Sequence, residues 1–240
     1  MKRRRNLGAW VIAGCFLIAA LPALADSKLK PFAATYNLSR GGIILATVEV
    51  TLRLSPAGRY RYQARTIPTA PVAVFRDDEI TELSEGRLSE EGIYPDSYLY
   101  HHRNPKKSRR TDLDFDWAAG RVTNRTADSH WSMEIQPGTQ DKFSQQLLMM
   151  MTAAKGMQEI EFPVADGGRL KQYRFQTQGW EEVSTEAGTF HSLKLARSKN
   201  HKPSRASYWL APELNYLPVK VERLETDESF IMQLRSLSWH

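Results

Sequence analysis

The sequence predicts an all-β, mainly antiparallel protein: a large curled meander sheet or an open barrel, with one α-helix packed against its concave face. Three observations predict this fold class. Apolar and polar residues alternate along many short segments, turn-forming residues separate these segments, and one segment instead shows helical spacing. Because strands follow strands without helices between them, we expect a meander rather than repeated strand–helix–strand units.

The N-terminal segment is typical of a bacterial secretory signal. Four basic residues precede an apolar run over residues 7–21, and the small residues up to Ala25 supply the positions that a signal peptidase reads. We therefore expect residues 1–25 to be a signal peptide cleaved after Ala25. The mature chain, residues 26–240, is then periplasmic and has no transmembrane span.

Two other interpretations compete with cleavage after Ala25. The sequence Ile-Ala-Gly-Cys ending at Cys15 has the form of a lipoprotein site, but cutting there leaves a much shorter apolar core than the roughly 7 to 15 residues that a signal needs. A retained membrane anchor is the other interpretation. Its apolar run is shorter than the roughly 20 residues that span a bilayer, and Pro22 ends it. The lengths therefore favour cleavage after Ala25.

Removing the signal changes both the charge and the cysteine content. The formal net charge falls from +6 to +2, because residues 1–25 hold four basic and no acidic residues. The basicity of the whole chain therefore does not indicate a nucleic-acid partner. Cys15 is the only cysteine, so the mature chain has no disulfide, thiol nucleophile or thiolate metal site. We expect it to form one continuous domain stabilised by its core.

Strand-like alternation recurs along the mature chain, for example at Tyr60 and Tyr62, which alternate with arginines. The alternating segments are residues 59–64, 112–117, 172–176, 192–196, 219–224 and 230–234. Turns that contain glycine or proline, such as Gly41-Gly42, separate such segments. Short strands joined by turns in this way indicate an antiparallel sheet.

One segment, near residues 141–155, breaks this alternation. Its apolar side chains fall at helical spacing: Phe143, Leu147, Met150, Met151 and Ala154. Asp141 can cap the start of this helix and Gly156 can end it. Because methionine is flexible and polarisable, the cluster either fills the core or forms the floor of an adaptable apolar cavity. The first four of the listed residues are therefore cavity candidates.

No pattern in the sequence indicates a catalytic or metal site, and we expect no cofactor. His101 and His102 point to opposite faces of one strand, and no histidine belongs to a helical His-Glu-x-x-His pair. The alternating aspartates around Asp114 form the solvated face of a strand whose other face is apolar. Two facing carboxylates, such as Asp114 and Glu181, would suffice for hydrolysis of a glycan if the fold brought them together.

Two basic segments each join two strand patterns and centre on a proline, so both are expected to be hairpin tips. The basic candidates for ligand contact are Lys106, Lys107, Arg109 and Arg110 in the first segment and Lys199, Lys202 and Arg205 in the second. If both tips lie at the same end of the sheet, they form a cationic rim for lipid phosphates or another anionic partner. The alternative interpretation is that exposed basic residues keep strand edges soluble.

Four short motifs of the C-terminal third occur in the order in which a known family carries them. They are Gly179 with Glu181; Thr185, Gly188 and Phe190; Trp209-Leu210-Ala211; and Leu217-Pro218-Val219-Lys220. On these motifs, and on YPDSYLYHH, LDFDW and TQDKFS, nearly the whole mature chain resembles the bacterial secreted family called domain of unknown function 3108. The resemblance implies an envelope protein of β architecture with no assigned reaction. Trp209 is then a large contributor to the core or the wall of a cavity.

Three functions compete at this point. The first is non-catalytic binding or transport of an apolar or lipid-like ligand in a cavity of the sheet, lined by the helix residues and Trp209. The second is a structural role in which an exposed sheet face binds an envelope protein partner. The third is hydrolysis of a glycan or a lipid. The expected architecture resembles that of periplasmic lipoprotein carriers, which is an analogy of fold only. Of these three functions, ligand binding is the one that we expect.

Overall fold

The computed structural model describes residues 29–73, 78–104, 108–126, 129–198, 206–225 and 228–240. The predicted signal peptide, with Cys15 and Ala25, lies outside the described residues. Within the described ranges, no helix is long and apolar enough to cross a membrane.

A single antiparallel sheet of fourteen strands accounts for most of the described chain. The strands are β1 (Phe32–Arg40), β2 (Ile43–Leu54), β3 (Arg59–Pro68), β4 (Glu79–Leu88), β5 (Ile93–Arg103), β6 (Arg109–Asp116), β7 (Arg121–Thr126), β8 (Ser129–Glu134), β9 (Glu159–Ala165), β10 (Leu170–Thr185), β11 (Gly188–Ser198), β12 (Ala206–Ala211), β13 (Leu217–Glu225) and β14 (Glu228–Trp239). The helical elements are α1 (Ala70–Ala73), α2 (Gln145–Ala154) and a 3₁₀ turn (Pro212–Leu214). The six segments predicted from alternation fall on strands, with Trp117 one residue beyond β6.

The sheet is an open ring. From one edge to the other, the strand order is β8-β7-β6-β5-β4-β3-β2-β1-β14-β13-β12-β11-β10-β9. Strands that are consecutive in the chain are thus paired, except β8 and β9, which form the two edges of the sheet. In addition, β1 is paired with β14. The predicted antiparallel meander is confirmed: it is curled but not closed into a barrel.

The connection between β8 and β9 covers part of the gap between these edges. Gln140 bridges to β9: its amide donates to the Pro163 carbonyl at 2.8 Å, and its own carbonyl accepts from the Ala165 amide at 2.9 Å. Near the other edge, the Trp131 ring of β8 lies against Gly168, where a β-carbon would be 3.7 Å from the indole. Covering an edge in this way protects it from pairing with another chain.

Alternation along the strands gives the sheet an inner and an outer face. The inner face carries Phe32, Ala34 and Tyr36 of β1, all of which are buried. Strand register extends this face to Leu52 of β2 and Tyr62 of β3. These side chains belong to the larger of two hydrophobic core clusters.

Helix α2 lies on the inner face and joins the two clusters. Leu147, Met150 and Met151 pack in the larger cluster. Met149 and Ala153 pack in the second cluster, with side chains of β9–β12. The predicted packing of one helix against the concave face is therefore confirmed.

The turn before α2 is capped by Asp141, as the sequence predicts, and the helix itself begins at Gln145. Asp141 is fully buried, and its carboxylate accepts hydrogen bonds from the backbone amides of Phe143 (2.6 Å) and Ser144 (2.7 Å). It also accepts a hydrogen bond from the Ser84 hydroxyl of β4 at 2.6 Å. Because residues 141–144 form this turn, α2 begins only at Gln145.

The strand connections define two ends of the sheet. The β1–β2, β3–β4, β5–β6, β11–β12 and β13–β14 connections join strand ends at one end, which we call the mouth. The start of β1 and the end of β14 lie at the opposite end, which we call the base, where the His240 amide donates to the Pro31 carbonyl at 3.1 Å. The Lys155 ammonium after α2 lies 3.5 Å from the Glu90 carbonyl, in the β4–β5 turn of the base.

Candidate functional site

The inner face changes from buried at the base to accessible at the mouth. Along β1, Phe32 and Tyr36 are 0% and 2% exposed, whereas Leu38 is partly exposed. Register shows the same gradient on neighbouring strands. The partly exposed inner-face residues are Leu38, Thr66, Ile80, Glu82, Tyr100, His102, Thr111, Val221 and Met232, which we call the cup. The inner face is therefore fully buried at the base and partly exposed towards the mouth.

Glu82 of β4 is the acidic member of the cup. Its carboxylate accepts a hydrogen bond from the Tyr98 hydroxyl at 2.7 Å. Burial raises the pKa of Glu82, and the Tyr98 hydrogen bond and the charges of Lys142 and Arg223 oppose this increase only in part. The side chain nevertheless keeps part of its surface accessible. Register places this carboxyl on the inner face, where it is desolvated but keeps part of its surface exposed.

Some of the charges that act on Glu82 come from distant strands. Arg223 lies on β13, which is five strands away from β4 in the sheet order, yet it lowers the pKa of Glu82. Glu82 in turn contributes to the raised pKa of Tyr208 on β12. These interactions run across the interior, so the curled sheet brings β4 opposite β12 and β13.

Several phenol hydroxyls lie near this carboxyl. The tyrosines whose pKa is raised by burial and, to a smaller extent, by the charge of Glu82 are Tyr62, Tyr98, Tyr100 and Tyr208. They stay protonated at neutral pH and can donate or accept hydrogen bonds. With the apolar Leu38, Val221 and Met232, they give a largely apolar wall with polar groups at fixed positions, as in sites for small molecules.

Four of the five predicted cavity residues lie deeper than the cup on the inner face, and the fifth, Trp209, lies on the outer face of β12. Phe143, Leu147, Met150, Met151 and Trp209 are 0–7% exposed and belong to the larger core cluster. The Phe143 ring, for example, stacks on Tyr62 with ring centroids 3.9 Å apart. Two pockets of about 440 and 420 Å³ lie elsewhere, along β4–β7, and both include Arg87 and Trp117. Contact of the five residues with a ligand stays a prediction.

Trp209 lies beneath a hairpin that folds back over the outer face. Strand β10 has an irregularity at Gly179, whose φ is +104°. Residues 179–190, which we call the folded hairpin, reach β1 and β14: the Asn37 amide donates to the Glu186 carboxylate at 2.6 Å, and the Gln233 amide donates to the Ser184 carbonyl at 3.3 Å. The outer face is therefore covered here, which buries a side chain that would otherwise face solvent.

The motif residues of the C-terminal third meet at this indole. The Trp209 N–H donates to the Glu181 carboxylate at 2.7 Å. The ammonium groups of Lys220 and Lys194 lie 4.2 and 4.8 Å from the indole ring centroid, within cation–π range. Lys194 also forms an ion pair with Glu181 at 3.0 Å. These contacts fasten the folded hairpin to the sheet, so the motif has a structural explanation.

The structure describes only part of the two basic segments. Arg109 and Arg110 are exposed at the start of β6, and the Arg110 guanidinium donates to the Asp112 carboxylate at 2.8 Å. The other five basic candidates, Lys106, Lys107, Lys199, Lys202 and Arg205, lie outside the described residues. Strands β5 and β11, which lead into the two segments, run in the same direction and both end at the mouth.

The carboxylates considered for hydrolysis each have a basic partner of their own. Asp114 on β6 forms an ion pair with Arg125, and Glu181 on β10 forms one with Lys194. Among the residues that the structure describes, no three histidine, cysteine, aspartate or glutamate side chains are grouped to hold a metal ion.

Sequence reasoning missed Glu82. A signal was present, because the segment ITELSEG places Glu82 on the same strand face as Ile80 and Ser84. Register then shows that this face is the inner one, since Glu82 pairs with Ala64 on β3 and with Tyr100 on β5. An acidic residue at an inward position of a strand is the pattern that would have identified it.

The fold and the cup define a protein built on one curled antiparallel sheet, not closed into a barrel, with polar groups on its inner face. The chain belongs to the family described as protein of unknown function (DUF3108), whose model matches residues 32–235. This match confirms the family recognised from the motifs.

One solved structure shows a similar fold, and a second gives a weaker match. A β-barrel-like protein of domain of unknown function DUF1849 from Brucella abortus superposes with a TM-score of 0.62 at 13% identity, covering 89% of this chain and 99% of that one. A DUF1089 family protein from Pseudomonas aeruginosa gives a TM-score of 0.37 at 12% identity, covering 72% of this chain and 87% of that one. No curated protein sequence matches. The Brucella structure supports the fold alone.

Proposed function

We propose that this protein is a non-catalytic periplasmic envelope protein that binds an amphipathic, lipid-like ligand in the cup. The observation that carries the proposal is Glu82, a carboxyl whose pKa is raised by burial and whose side chain remains accessible. Burying a carboxyl on the inner face lowers the stability of the folded protein. Titratable groups with strongly shifted pKa values are concentrated at functional sites. A hydrogen bond from a bound molecule would offset that cost.

The chemistry of the cup favours a ligand with one polar head and one apolar chain. Leu38, Val221 and Met232 supply apolar contacts on β1, β13 and β14, where each buried CH₂ group of a ligand would contribute about 0.8 kcal/mol. An ionised Glu82 only accepts hydrogen bonds, so the polar head is expected to carry a donor such as a hydroxyl or an ammonium group. Tyr100 offers a second polar contact beside it.

Native mass spectrometry with lipid extraction tests this proposal. The exported wild-type protein, purified without detergent, is expected to carry a discrete added mass that extracts as lipid. Glu82→Gln keeps the shape of the side chain and removes its charge. We expect it to lower ligand occupancy about 10-fold, because a hydrogen bond to a charged group contributes about 1.5–3 kcal/mol.

Glu85→Gln is the matched control. Glu85 lies on the same strand but faces outward, where it forms an ion pair with Arg61. We expect this variant to keep wild-type occupancy. A wild-type protein without added mass would contradict the proposal, and so would equal occupancy in the two variants.

Glu82→Gln is also expected to stabilise the protein once its ligand has been removed. Burial raises the folded-state pKa of Glu82 above its unfolded value, so wild-type stability falls as the pH rises from the unfolded pKa through the folded pKa. Glutamine does not ionise and lacks this fall. We therefore expect a higher melting temperature than wild type at neutral pH, by a few degrees. The difference should vanish below the unfolded pKa of about 4.3. A variant that is less stable than wild type at neutral pH would show that Glu82 is structural.

The proposed location makes a separate prediction. Protein isolated from the periplasmic fraction of expressing cells is expected to begin at Asp26, because the signal is cleaved after Ala25. Intact mass measurement identifies the first residue directly. A mass that fits a lipid-modified chain beginning at Cys15, or one that retains residues 1–25, would contradict this prediction.

A further inference from the structure

The mouth carries exposed apolar side chains outside the cup. In the described part of the chain, the large hydrophobic residues that are strongly exposed are Ile43, Ile44, Ile67, Met157, Trp180, Leu224 and Trp239. Four of these seven lie near strand ends at the mouth: Ile43, Ile44, Ile67 and Leu224. Apolar surface that collects around one opening, rather than being scattered, indicates an interaction site.

The two most prominent of these side chains follow the tip of the β1–β2 hairpin. Gly41 and Gly42 form its turn with φ values of 57° and 80°, and no atom lies within 4 Å of a β-carbon built on either residue. Ile43 is 66% exposed and Ile44 is 44% exposed. Because β1 pairs with β14 and β2 pairs with β3, both strands of the hairpin are held in the sheet. The tip is therefore presented on a fixed support.

Basic side chains lie at the same end of the sheet. Arg40 precedes the β1–β2 turn and is exposed. Arg103 at the end of β5, and Arg109 and Arg110 at the start of β6, are exposed as well. Arg40, Arg103 and Arg110 pair with Glu228, Glu79 and Asp112, but surface ion pairs are weak, so these guanidinium groups can exchange a carboxylate for a lipid phosphate. Two attractions hold a protein on an anionic bilayer: insertion of apolar side chains into the interface and attraction of basic side chains to lipid phosphates. The exposed apolar and basic side chains of the mouth suit both.

We propose that the mouth docks on an anionic phospholipid bilayer, with Ile43 and Ile44 inserted at the interface and the arginines of the mouth on lipid phosphates. This inference rests on the proposed function, since docking in this orientation turns the cup towards the bilayer. A lipid-like ligand then passes between the bilayer and the cup without crossing bulk water. The exposed arginines favour a bilayer over a second copy of this chain as the occupant.

Co-sedimentation with lipid vesicles tests the docking. The exported protein is expected to bind vesicles of phosphatidylglycerol and phosphatidylethanolamine, and to bind vesicles of phosphatidylcholine at least about 10-fold more weakly. Combining Ile43→Ser with Ile44→Ser is expected to weaken binding to the anionic vesicles by about 10-fold or more, because binding strength scales with the apolar area inserted. The positions are exposed, so thermal unfolding should show that the double variant folds normally.

Two further variants make the test specific. Met157→Ser removes an apolar side chain that is 49% exposed but follows α2, away from the mouth connections, and is expected to bind vesicles as the wild type does. Glu82→Gln changes the cup alone and is also expected to bind vesicles normally. Loss of ligand binding in the cup is therefore measured by mass spectrometry, and loss of docking is measured separately by co-sedimentation.

Three results would overturn the docking. They are a wild-type protein that does not sediment with anionic vesicles, equal binding by the isoleucine double variant and the wild type, and an equal loss of binding in Met157→Ser. A double variant that binds vesicles normally but changes from dimer to monomer in light scattering would assign the tip to a second copy of the chain.

Discussion

Asp141→Ala is expected to lower the free energy of unfolding by about 3–5 kcal/mol. The fully buried carboxylate joins the turn before α2 to β4, since it accepts hydrogen bonds from the Ser84 hydroxyl and from the backbone amides of Phe143 and Ser144. Alanine leaves these three donors without their acceptor in the core, and an unsatisfied buried donor costs about 1–3 kcal/mol. Equilibrium unfolding in urea measures the loss.

Two other substitutions separate this role from a general effect of removing an acid. Asp112→Ala removes a partly exposed carboxylate that pairs with Arg110, so we expect a loss of less than about 1 kcal/mol. Asp141→Asn keeps one acceptor oxygen, so its loss in the free energy of unfolding should lie between those of Asp112→Ala and Asp141→Ala. If Asp141→Ala cost no more than Asp112→Ala, the turn would not be what holds α2 against β4.

Trp209→Ala is expected to destabilise the protein by about 3–5 kcal/mol, the usual range for a buried tryptophan. The indole is 3% exposed, and its loss removes the hydrogen bond to Glu181 and the ring between Lys194 and Lys220. The folded hairpin should then separate from the outer face. Limited proteolysis is expected to cut the variant at the hairpin tip, near residues 184–188, much faster than the wild type.

Trp180→Ala is the control for this prediction, because Trp180 belongs to the same hairpin. It is 49% exposed and stacks on His191 with centroids 5.1 Å apart. We expect a loss of less than about 1 kcal/mol and no new cleavage, as for other exposed positions. Equal protease sensitivity in the two variants would mean that Trp209 does not fasten the hairpin.

Local patterns predicted the strands because alternation depends only on residues that are close in the chain. Tyr60 and Tyr62 are buried, while Arg59 and Arg61 between them are exposed, as the pattern indicates. The cap before α2 was also predicted locally, because Asp141 accepts hydrogen bonds from the amides two and three residues further on. Its hydrogen bond from Ser84, on a distant strand, is not encoded in that local pattern.

The cup depends on contacts that no local pattern encodes. The alternation places Glu82 and Tyr100 on one face of their strands, but it does not show that Arg223 faces Glu82 from across the sheet. Tyr208 and Trp209 illustrate the same limit. They point to opposite faces of β12, so alternation alone leaves one of them in solvent, yet both are buried. The folded hairpin, which is formed by β10 and β11, covers Trp209 and so keeps it from solvent.

The pairing of β1 with β14 has a consequence for how the chain folds. Strands β1–β8 form one run of consecutive hairpins and β9–β14 form another, so within each run every partner is close in sequence. Such local pairs form early, whereas the β1–β14 seam must first close a loop of nearly the whole domain. A circularly permuted chain that joins His240 to Lys30 and opens between β8 and β9 would turn this seam into one more hairpin. In topological terms, the sheet is one open run of strand pairs from β9 through β14 and β1 to β8, and the two ends of the described domain lie within that run, at the strand pair that is most distant in sequence.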